Sequence, residues 1–372
     1  MPRFIALSPS GLENALAGEL NQHGAKVKNI RRSQVEFDAN WEVLQNLHYW
    51  CRTASRFLKP VLEFSAYNTD DVYFNLSKKQ DFTKFIDPSQ SLRVIVKGKS
   101  KIFRDTRIVG LKVKDAIVDQ FREKYGRRPD VDRDQPDLAI LIRLNNEKIS
   151  VALDLTGMTL SHRGYRTEAG EAPLRENLAA GLLMLAGWQN TQNLVDPFCG
   201  SGTILIEALR MVSGEPNHSL DTLFAFQTYK HLELPKVKPH HMAVIERHEN
   251  LGVVGIDRDP EMIEIAKANA KRAGVADKIQ WIAKDFRQVK QVWQDAVIVT
   301  NPPYGERLEQ VEKLKPVFAD FGRWVKDSFK DSNLWLLSGH PELSKSLRLK
   351  SQARYPVYNG PIECKYLNYP VG

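Results

Sequence analysis

Cysteine is scarce in this chain of 372 residues, which has three: Cys51, Cys199 and Cys364. An odd number of widely separated cysteines provides neither a disulfide framework nor the paired spacing of a structural zinc site. Such cysteine usage is typical of a reducing compartment, so we expect a cytoplasmic protein.

The chain also lacks long apolar runs. No stretch approaches the ~18 apolar residues of a membrane-spanning helix, so we expect no membrane association. The apolar run near the amino terminus is short and Glu13 follows it, which is not the pattern of a signal peptide. Internal repeats and low-complexity segments are absent as well, and the ordinary composition predicts packed domains rather than disorder.

Two common kinds of site are not indicated. Five histidines fall between residues 213 and 250 at irregular spacing and without a cysteine, so we predict no metal site; they are His218, His231, His240, His241 and His248. The glycine-rich stretch "DPFCGSGT" lacks the lysine of a Walker A loop and the full glycine pattern of dinucleotide enzymes. No base is identifiable near its cysteine, so we do not expect nucleophilic catalysis there.

Positive charge is concentrated in the first 150 residues. These hold 26 Lys and Arg against 19 Asp and Glu, whereas residues 151–372 hold 27 against 26. Region 91–128 has 12 basic and 4 acidic residues interleaved with apolar positions. We interpret this region as a nucleic-acid-binding surface. The alternative is that its charges form an ordinary solvated face of the protein. The residues predicted to contact RNA are Lys97, Lys99, Lys101, Arg104, Arg107, Lys112 and Lys114, with Arg163 and Arg166 from the polar segment that follows.

The pattern along the chain predicts three domains and a linker. Residues 1–60 form a small α+β unit, and residues 61–155 alternate short strands with helices. Residues 156–172 are polar and glycine-rich, so we expect a linker. Strands alternate with helices over residues 173–372, which predicts a parallel α/β sheet.

Polar side chains follow four successive strands of this predicted sheet. They are Asp196, Asp257, Asp285 and Asn301. The carboxyl ends of the strands in an open α/β sheet form the edge at which ligands bind. Four such residues in register match a site for S-adenosylmethionine.

Each part of that cofactor has an expected partner. Asp257 is placed to accept hydrogen bonds from both ribose hydroxyls. Asp285 is placed to accept one from the adenine amine, and Phe286 to pack on the adenine ring. The turn after the first strand lets a ligand approach the backbone closely, and its residues are Gly200, Ser201, Gly202 and Thr203.

The stretch "TNPPYG" ends the fourth strand, because its two prolines lack the N–H groups that a strand needs. The Asn301 amide oxygen and the Pro302 carbonyl can each accept one N–H of an exocyclic base amine. This would hold the nitrogen and direct it at a sulfonium methyl. Pro303 stiffens the turn, and Tyr304 offers a face on which an extruded base can stack. The alternative is a polar turn with a buried tyrosine.

These motifs carry a resemblance to a known family. "DPFCGSGT" with "TNPPYG" resembles the S-adenosylmethionine-dependent methyltransferases that modify amino groups. "LKVKDAIVDQF" with "RPDVDRDQPDLAI" resembles a THUMP domain, which is an RNA-binding module. "HRGYRTEAGEAPLRENLAA", "NPPYGERL" and "YNGPIEC" are similar to the amino-terminal half of the bifunctional bacterial 23S rRNA guanine methyltransferases. The resemblance covers nearly all of the chain.

The resemblance implies a fold, an activity and further site residues. The fold is a Rossmann-like methyltransferase domain preceded by a ferredoxin-like α+β unit and a THUMP domain. The activity is methylation of guanine N2 in 23S rRNA or a large-subunit precursor. The cofactor pocket is walled near the methionine end by Leu174, Arg175, Glu176 and Asn177. The second half of those enzymes, which methylates guanine N7, has no counterpart here, so we expect that activity to be absent or encoded elsewhere.

Two rival hypotheses remain. The first keeps the chemistry but changes the substrate, to guanine in tRNA or to adenine N6 in DNA. The second is an RNA-binding ribosome assembly factor whose catalytic half is vestigial. The complete set of residues at the strand ends favours an enzyme.

Overall fold

A computed structural model describes residues 1–167, 174–230, 252–304 and 308–372. The first 155 residues form one sheet covered by helices. Its strands are β1 (Arg3–Leu7), β2 (Lys26–Arg31), β3 (Gln34–Asp38), β4 (Arg56–Ser65), β5 (Ser91–Lys99), β6 (Asp130–Val131), β7 (Leu138–Asn145) and β8 (Lys148–Asp154). Its helices are α1 (Glu13–Gln22), α2 (Trp41–Trp50), α3 (Thr69–Lys79) and α4 (Thr106–Tyr125).

The strand β4 joins the two units that the sequence predicts as residues 1–60 and 61–155. The order of the sheet is β2-β3-β1-β4-β8-β7-β5-β6. With ten residues, β4 is long enough to pair with β1 near its start and with β8 over most of its length. Both units therefore share a single sheet, and their buried apolar side chains form one cluster.

The segment predicted as a linker, residues 156–172, is packed where the structure describes it, up to residue 167. Leu160 and Tyr165 are buried, and the Leu160 N–H donates to the carbonyl of Ser55 at 3.0 Å. These apolar side chains stand between the polar residues that suggested a linker, and they seat the segment against both halves of the protein. Residues 168–172 of the predicted linker lie outside the described residues.

A second sheet occupies the rest of the chain. Its strands are β9 (Asn193–Asp196), β10 (Val253–Asp257), β11 (Gln280–Ala283), β13 (Ala296–Thr300), β15 (Ser332–Ser338), β16 (Ala353–Asn359) and β17 (Ile362–Val371), while β12 (Trp293–Gln294) and β14 (Phe329–Lys330) pair separately. The helices are α5 (Glu176–Leu185), α6 (Thr203–Val212), α7 (Pro260–Arg272), α8 (Leu308–Ser328) and α9 (Pro341–Ser346).

The order of this sheet, β11-β10-β9-β13-β15-β17-β16, reverses direction between β9 and β13. The first five strands are parallel, and β17 and β16 are antiparallel to their neighbours. Separate apolar clusters cover the two faces. Where the order of a parallel sheet reverses, the loops at the carboxyl ends of two adjacent strands diverge and leave a crevice. That crevice is the expected binding edge.

None of the helices that the structure describes combines the length and apolar character needed to cross a bilayer. The three cysteines are free and buried.

Buried charges join the two sheets. Arg52, in the turn after α2, donates to the carbonyls of Arg210 at 2.6 Å and Glu215 at 2.9 Å, and to the Asn217 side chain at 3.0 Å. Burial lowers the pKa of Arg52 to about 10, which still leaves the guanidinium charged at neutral pH. The amino-terminal half thus places the buried Arg52 guanidinium among backbone carbonyls at the end of α6 and just after it.

A second arginine completes this junction. Arg163 donates to the carbonyls of Leu160 at 2.7 Å and Arg52 at 2.6 Å. Its guanidinium lies 3.8 Å from the Glu207 carboxylate on α6, and neither side chain is exposed. The Tyr165 hydroxyl donates to the other oxygen of Glu207 at 3.0 Å. Glu207 is therefore the counter-charge of a fully buried arginine at the contact between the two halves.

We expect Glu207→Gln to lower the free energy of unfolding by ~3–5 kcal/mol, because it leaves the charge of Arg163 buried without its counter-ion. Urea denaturation followed by fluorescence measures this. The matched control is Glu264→Gln on the exposed face of α7, where the ion pair with Lys267 spans 2.8 Å in solvent. Removal of that exposed pair costs at most ~1 kcal/mol. Equal destabilisation by the two variants would show that the Glu207 pair does not hold the junction.

Candidate functional site

Asp196 lies at the carboxyl end of β9 and is buried. Its Oδ1 accepts the Thr300 hydroxyl at 2.6 Å and the Phe198 N–H at 3.2 Å. Burial raises the pKa of Asp196 to about 7, and the nearby charge of Asp257 adds to the increase. Its carboxyl group therefore changes protonation near neutral pH.

The glycine turn follows Asp196 and leads into α6. Gly200 and Gly202 have φ angles of +51° and +81°, in the left-handed region that favours glycine. A Cβ at Gly202 would stand 2.7 Å from the ring of Trp281, so no larger residue fits there. The Gly200 N–H donates to the Asp257 Oδ2 at 2.9 Å. The turn thus connects the ends of β9 and β10.

A cavity of about 130 Å³ lies where the sheet order reverses. Residues from the glycine turn, from the ends of β9 and β13 and from the segment before α5 line it: Leu174, Asp196, Gly200, Ser201, Thr203 and Asn301. The fold therefore brings the first and fourth strand ends together with the turn, as the sequence predicts.

The chemistry of this cavity fits the charged end of S-adenosylmethionine. The first backbone N–H groups of α6 have no partner inside the helix, and the helix dipole favours an anion such as a carboxylate there. Asp196 has no cationic side chain paired with it among the described residues, so a sulfonium or an ammonium group would supply the missing counter-charge. Both charges of the methionine end thus meet a complementary group.

Asp257 stands at the end of β10 with its orientation set by the backbone. Its two oxygens accept the N–H groups of Gly200 and Asp259 at 2.9 and 3.0 Å. Each carboxylate oxygen has a second lone pair. The role of Asp257 as acceptor for the ribose hydroxyls remains a prediction that this geometry permits.

Phe286 is placed differently from the expectation for adenine, whereas the role of Asp285 stays a prediction. Asp285 caps a short 3-10 helix and accepts the Arg287 Nε and Nη2 at 2.9 and 2.7 Å. The hydrogen bond from Arg287 lowers the pKa of Asp285. Phe286 is 3% exposed and packs on Phe198 and Phe321 at centroid distances of 5.5 and 5.4 Å. The ring belongs to the core, because the 3-10 turn directs it inward, so it does not offer a face for adenine.

Of the four residues expected to wall the cofactor pocket, Leu174 lines the cavity. Glu176 is buried in an ion pair with Arg166, at 3.2 Å. Arg175 and Asn177 line a different cleft, between the two halves of the protein. Successive residues at the start of α5 therefore face different surroundings, which a linear stretch of sequence does not show.

Tyr304 lies over the end of β15 with its hydroxyl directed inward. The hydroxyl donates to the Asn301 Oδ1, and the side chains of Asn359 and Cys364 lie close to it. Burial raises the pKa of Tyr304, so the phenol stays protonated. The ring packs on Gly339, where a Cβ would stand 2.8 Å from the Tyr304 Cγ. The tyrosine thus occupies the acceptor predicted for the base amine.

The two prolines of the turn differ in exposure. Pro302 is buried and Pro303 is exposed. Gly305, the last residue of the quoted motif, lies outside the described residues.

Most of the predicted RNA contacts lie on the surface of the amino-terminal sheet. Four are exposed and have no acidic partner among the described residues: Lys97, Lys99, Lys101 and Arg104. Because β6 pairs only with the first two residues of β5, the rest of β5 is a free edge, within the described part of the chain, next to these cations. Three others make surface ion pairs: Arg107 with Asp105, Lys112 with Asp70 and Lys114 with Asp115. Exposed pairs are weak, so a phosphate can compete for these cations.

Arg163 is fully buried, so its prediction as an RNA contact was wrong, whereas that of Arg166, whose side chain is 13% exposed, stays a prediction. Arg163 is buried at the junction, and Arg166 donates to the Leu174 carbonyl at 2.7 Å and pairs with Glu176. Both guanidinium groups are used internally, because the segment that carries them is packed.

Three residues at the site had no role assigned from the sequence. Thr300 bonds to the first strand end, and Asn359 and Cys364 surround the Tyr304 hydroxyl. The signal for the last two was present in "YNGPIEC", a motif that supported the resemblance without an assigned function.

No group of three or more potential metal ligands occurs in residues 1–167, 174–230, 252–304 and 308–372. His218 is buried. The other four histidines between residues 213 and 250 lie outside the described residues: His231, His240, His241 and His248.

Comparison with known protein families identifies all three parts of the chain. The model of the family "RMKL-like, methyltransferase domain" matches residues 163–368, which is more than half of the chain. A THUMP domain model matches residues 67–154, and an RlmL ferredoxin-like domain model matches residues 3–58.

Curated relatives share the whole length of this chain. Ribosomal RNA large subunit methyltransferase K/L of Aliivibrio salmonicida (strain LFI1238) is 34% identical over 380 residues, covering 100% of this chain and 54% of the relative. The protein of the same name from Aliivibrio fischeri (strain ATCC 700601 / ES114) is 34% identical over 379 residues with the same coverage. The chain therefore spans about half the length of the curated relatives it matches.

Solved structures share the complete fold. A possible methylase from Clostridium difficile 630 superposes with a TM-score of 0.88 at 28% identity, covering 100% of this chain and 98% of that chain. The methyltransferase SMU.472, complexed with SAH, superposes with a TM-score of 0.84 at 25% identity and the same coverage. The arrangement of both sheets is thus shared by whole chains of this kind.

The raised pKa of Asp196 leads to a prediction for ligand binding. A cationic ligand favours the ionised carboxylate, so we expect the affinity for S-adenosylmethionine to fall about tenfold per pH unit below pH 7 and to level off above it. Calorimetric titration from pH 5.5 to pH 8.5 measures this. Asp196→Asn cannot ionise and should bind more weakly with a flat pH profile. A wild-type profile that is equally flat would contradict the assigned role of Asp196.

Proposed function

This chain belongs to the family of RMKL-like methyltransferase domains, and from that premise we propose that it methylates the exocyclic N2 amine of a guanine in 23S ribosomal RNA. We propose S-adenosylmethionine as the methyl donor and 23S rRNA, or a large-subunit precursor, as the partner. The observation that carries the proposal is the position of Asn301 in the same cavity as Asp196 and the glycine turn. An acceptor for an amine therefore lies beside a pocket for a cationic donor.

Three independent features support RNA as the substrate class. The amino-terminal half contains a THUMP domain within one continuous sheet. The free edge of β5 carries exposed cations without acidic partners among the described residues. The curated relatives at 34% identity bear the name of a large-subunit rRNA methyltransferase.

S-adenosylmethionine supplies, when bound, an electrophilic methyl group on a positively charged sulfur. The carboxylate of Asp196 lies in the cavity and stabilises positive charge there. Its position is fixed by Thr300, the residue that precedes Asn301, through a hydrogen bond of 2.6 Å. The donor pocket and the amine acceptor are thus held together by two adjacent residues, Thr300 at the end of β13 and Asn301 directly after it.

The target amine needs the Asn301 oxygen, which the Tyr304 hydroxyl uses in this structure. Asn359 lies close to the same hydroxyl, and its amide oxygen can accept the hydrogen bond when the hydroxyl leaves Asn301. A guanine N2 amine has two hydrogens, and the Asn301 oxygen and the Pro302 carbonyl offer two acceptors. Positioning of the amine for in-line attack then supplies most of the catalysis, with reacting atoms ~3 Å apart.

We expect 23S rRNA from a strain without this protein to lack one N2-methylguanosine, which mass spectrometry of digested rRNA measures. The purified chain, S-adenosylmethionine and unmodified 23S rRNA should restore it. Loss of N2-methylguanosine from tRNA alone would support the tRNA hypothesis, and loss of N6-methyladenine from DNA the DNA hypothesis. An unchanged set of modified nucleosides would overturn the enzymatic proposal in favour of an assembly factor.

We expect Asn301→Ala to lower kcat by ~10²–10³ in single-turnover methylation, because it removes a preorganised acceptor. Affinity for the RNA should change little, since it depends on the basic surface. The control is Tyr304→Phe, which keeps the ring and leaves the Asn301 oxygen free, so it should retain most of the rate. Asn301→Asp keeps the accepting oxygens and should fall between the two. Near-wild-type rates in both Asn301 variants would show that the turn after β13 is structural.

A further inference from the structure

A second cleft, of about 260 Å³, opens between the amino-terminal sheet and the methyltransferase domain. The turn after β1 and the turn between β2 and β3 form one wall, and the start of α5 and the hairpin of β16 and β17 form the other. The lining residues that matter for its chemistry are Ser8, Ser10, Arg32, Arg175, Asn177 and Tyr358. This surface exists only because the two halves are docked.

Two exposed arginines line opposite walls of this cleft. Arg32 donates from Nε to the Ser10 hydroxyl at 3.3 Å, and its guanidinium stands 4.8 Å from the ring centroid of Tyr358. Arg175 precedes the first residue of α5, whose leading N–H groups add a positive end. Within the described part of the chain, no carboxylate pairs with either arginine. Two guanidinium groups in one cleft, one of them at a helix start, suit a phosphate.

Two residues that line the cleft have buried oxygens without partners among the described residues. Ser8 is 6% exposed and Asn177 is 1% exposed, and neither the Ser8 Oγ nor the Asn177 Oδ1 has a hydrogen-bond partner among the described residues. Buried polar groups are almost always satisfied, so an unpaired pair beneath a cationic rim indicates a ligand. That ligand must bring hydrogen-bond donors as well as an anion. A ribonucleotide has both, since its 2′-hydroxyl and base amines donate.

The cleft adjoins the catalytic turn. Tyr358 and Gly360 line the cleft, and the residue between them, Asn359, has its side chain close to the Tyr304 hydroxyl. On the opposite wall Arg175 lines the cleft, while its neighbour Leu174 lines the methyl-donor cavity. A strand of nucleic acid that delivers a base to Asn301 therefore has this cleft directly beside it.

We propose that this cleft binds one nucleotide of the RNA strand next to the target guanine. Arg32 and Arg175 hold its phosphate, Tyr358 contacts its base, and the Ser8 and Asn177 oxygens accept hydrogen bonds from its 2′-hydroxyl or base edge. The inference rests on the proposed function, because it takes the ligand to be the RNA substrate. The cleft thereby distinguishes RNA from DNA, in addition to the sequence-independent phosphate binding of the amino-terminal sheet.

The test compares binding of a labelled single-stranded RNA and the DNA of the same sequence at several salt concentrations. We expect Arg32→Gln with Arg175→Gln to weaken RNA binding about tenfold and to reduce the log–log salt slope by ~0.7 for each phosphate that the cleft no longer neutralises. The matched control is Arg31→Gln with Arg354→Gln, which removes the same charge from exposed positions outside the cleft. Cofactor affinity should match wild type in both.

Ser8→Ala is the sharper variant, because it deletes a hydroxyl that has no partner in the described part of the protein. We expect an unchanged or higher Tm, a several-fold loss of RNA affinity and no change in DNA affinity. RNA binding by the cleft double variant that equals the control overturns the proposal, as does a wild-type ratio of RNA to DNA affinity in Ser8→Ala.

The two proposals fail separately. Wild-type protein that methylates no rRNA refutes the proposed function, while the RNA and DNA affinities still report on the cleft. Active wild-type protein with a cleft double variant indistinguishable from the control refutes the cleft alone.

Discussion

The buried pairing of Arg163 with Glu207 is the interaction on which the rest of this structure depends. A guanidinium removed from water is tolerated only when a counter-charge and hydrogen-bond acceptors surround it. Here the counter-charge comes from α6 and the acceptors come from the carbonyls of Leu160 and Arg52. Separation of the two halves would expose the Arg163 guanidinium to water or leave it without its counter-charge, so the halves hold one relative orientation. The amino-terminal sheet is thereby a fixed extension of the methyltransferase domain, and the cleft between them has a defined shape.

The helix that carries Glu207 also begins at the glycine turn of the donor cavity. One element therefore connects the junction between the halves to the chemistry. The reversal of strand order between β9 and β13 creates the cavity, and the hydrogen bond between Thr300 and Asp196 ties the two strands at that point. Asn301 follows directly. Distances at the reaction centre are thus set by a short buried hydrogen bond and by sheet pairing rather than by mobile loops.

Several features were predictable because their signals are local. The ends of parallel strands share an edge, so polar residues after successive apolar runs had to come near one another, and Asp196 and Asn301 do. Charge density likewise located exposed cations on β5. The predictions that failed have one cause in common. From the sequence alone, Phe286 and Arg163 look like site residues. In the structure Phe286 faces the core and Arg163 faces a buried carboxylate. Whether a side chain meets solvent, ligand or core depends on partners far away in sequence.

The sequence by itself determined the alternation of strands and helices, the glycine turn, the polar strand ends and the basic half, since each follows from residues within a few positions of one another. Only the tertiary structure decided that β4 joins two predicted units in one sheet. It also decided that the polar segment after residue 155 packs between the two halves, and that the Tyr304 hydroxyl donates to Asn301. It alone assembled the cleft, whose Ser8 and Tyr358 lie near opposite ends of the chain. Burial and pairing of polar groups are long-range properties, and their energies are defined only once the partners have met.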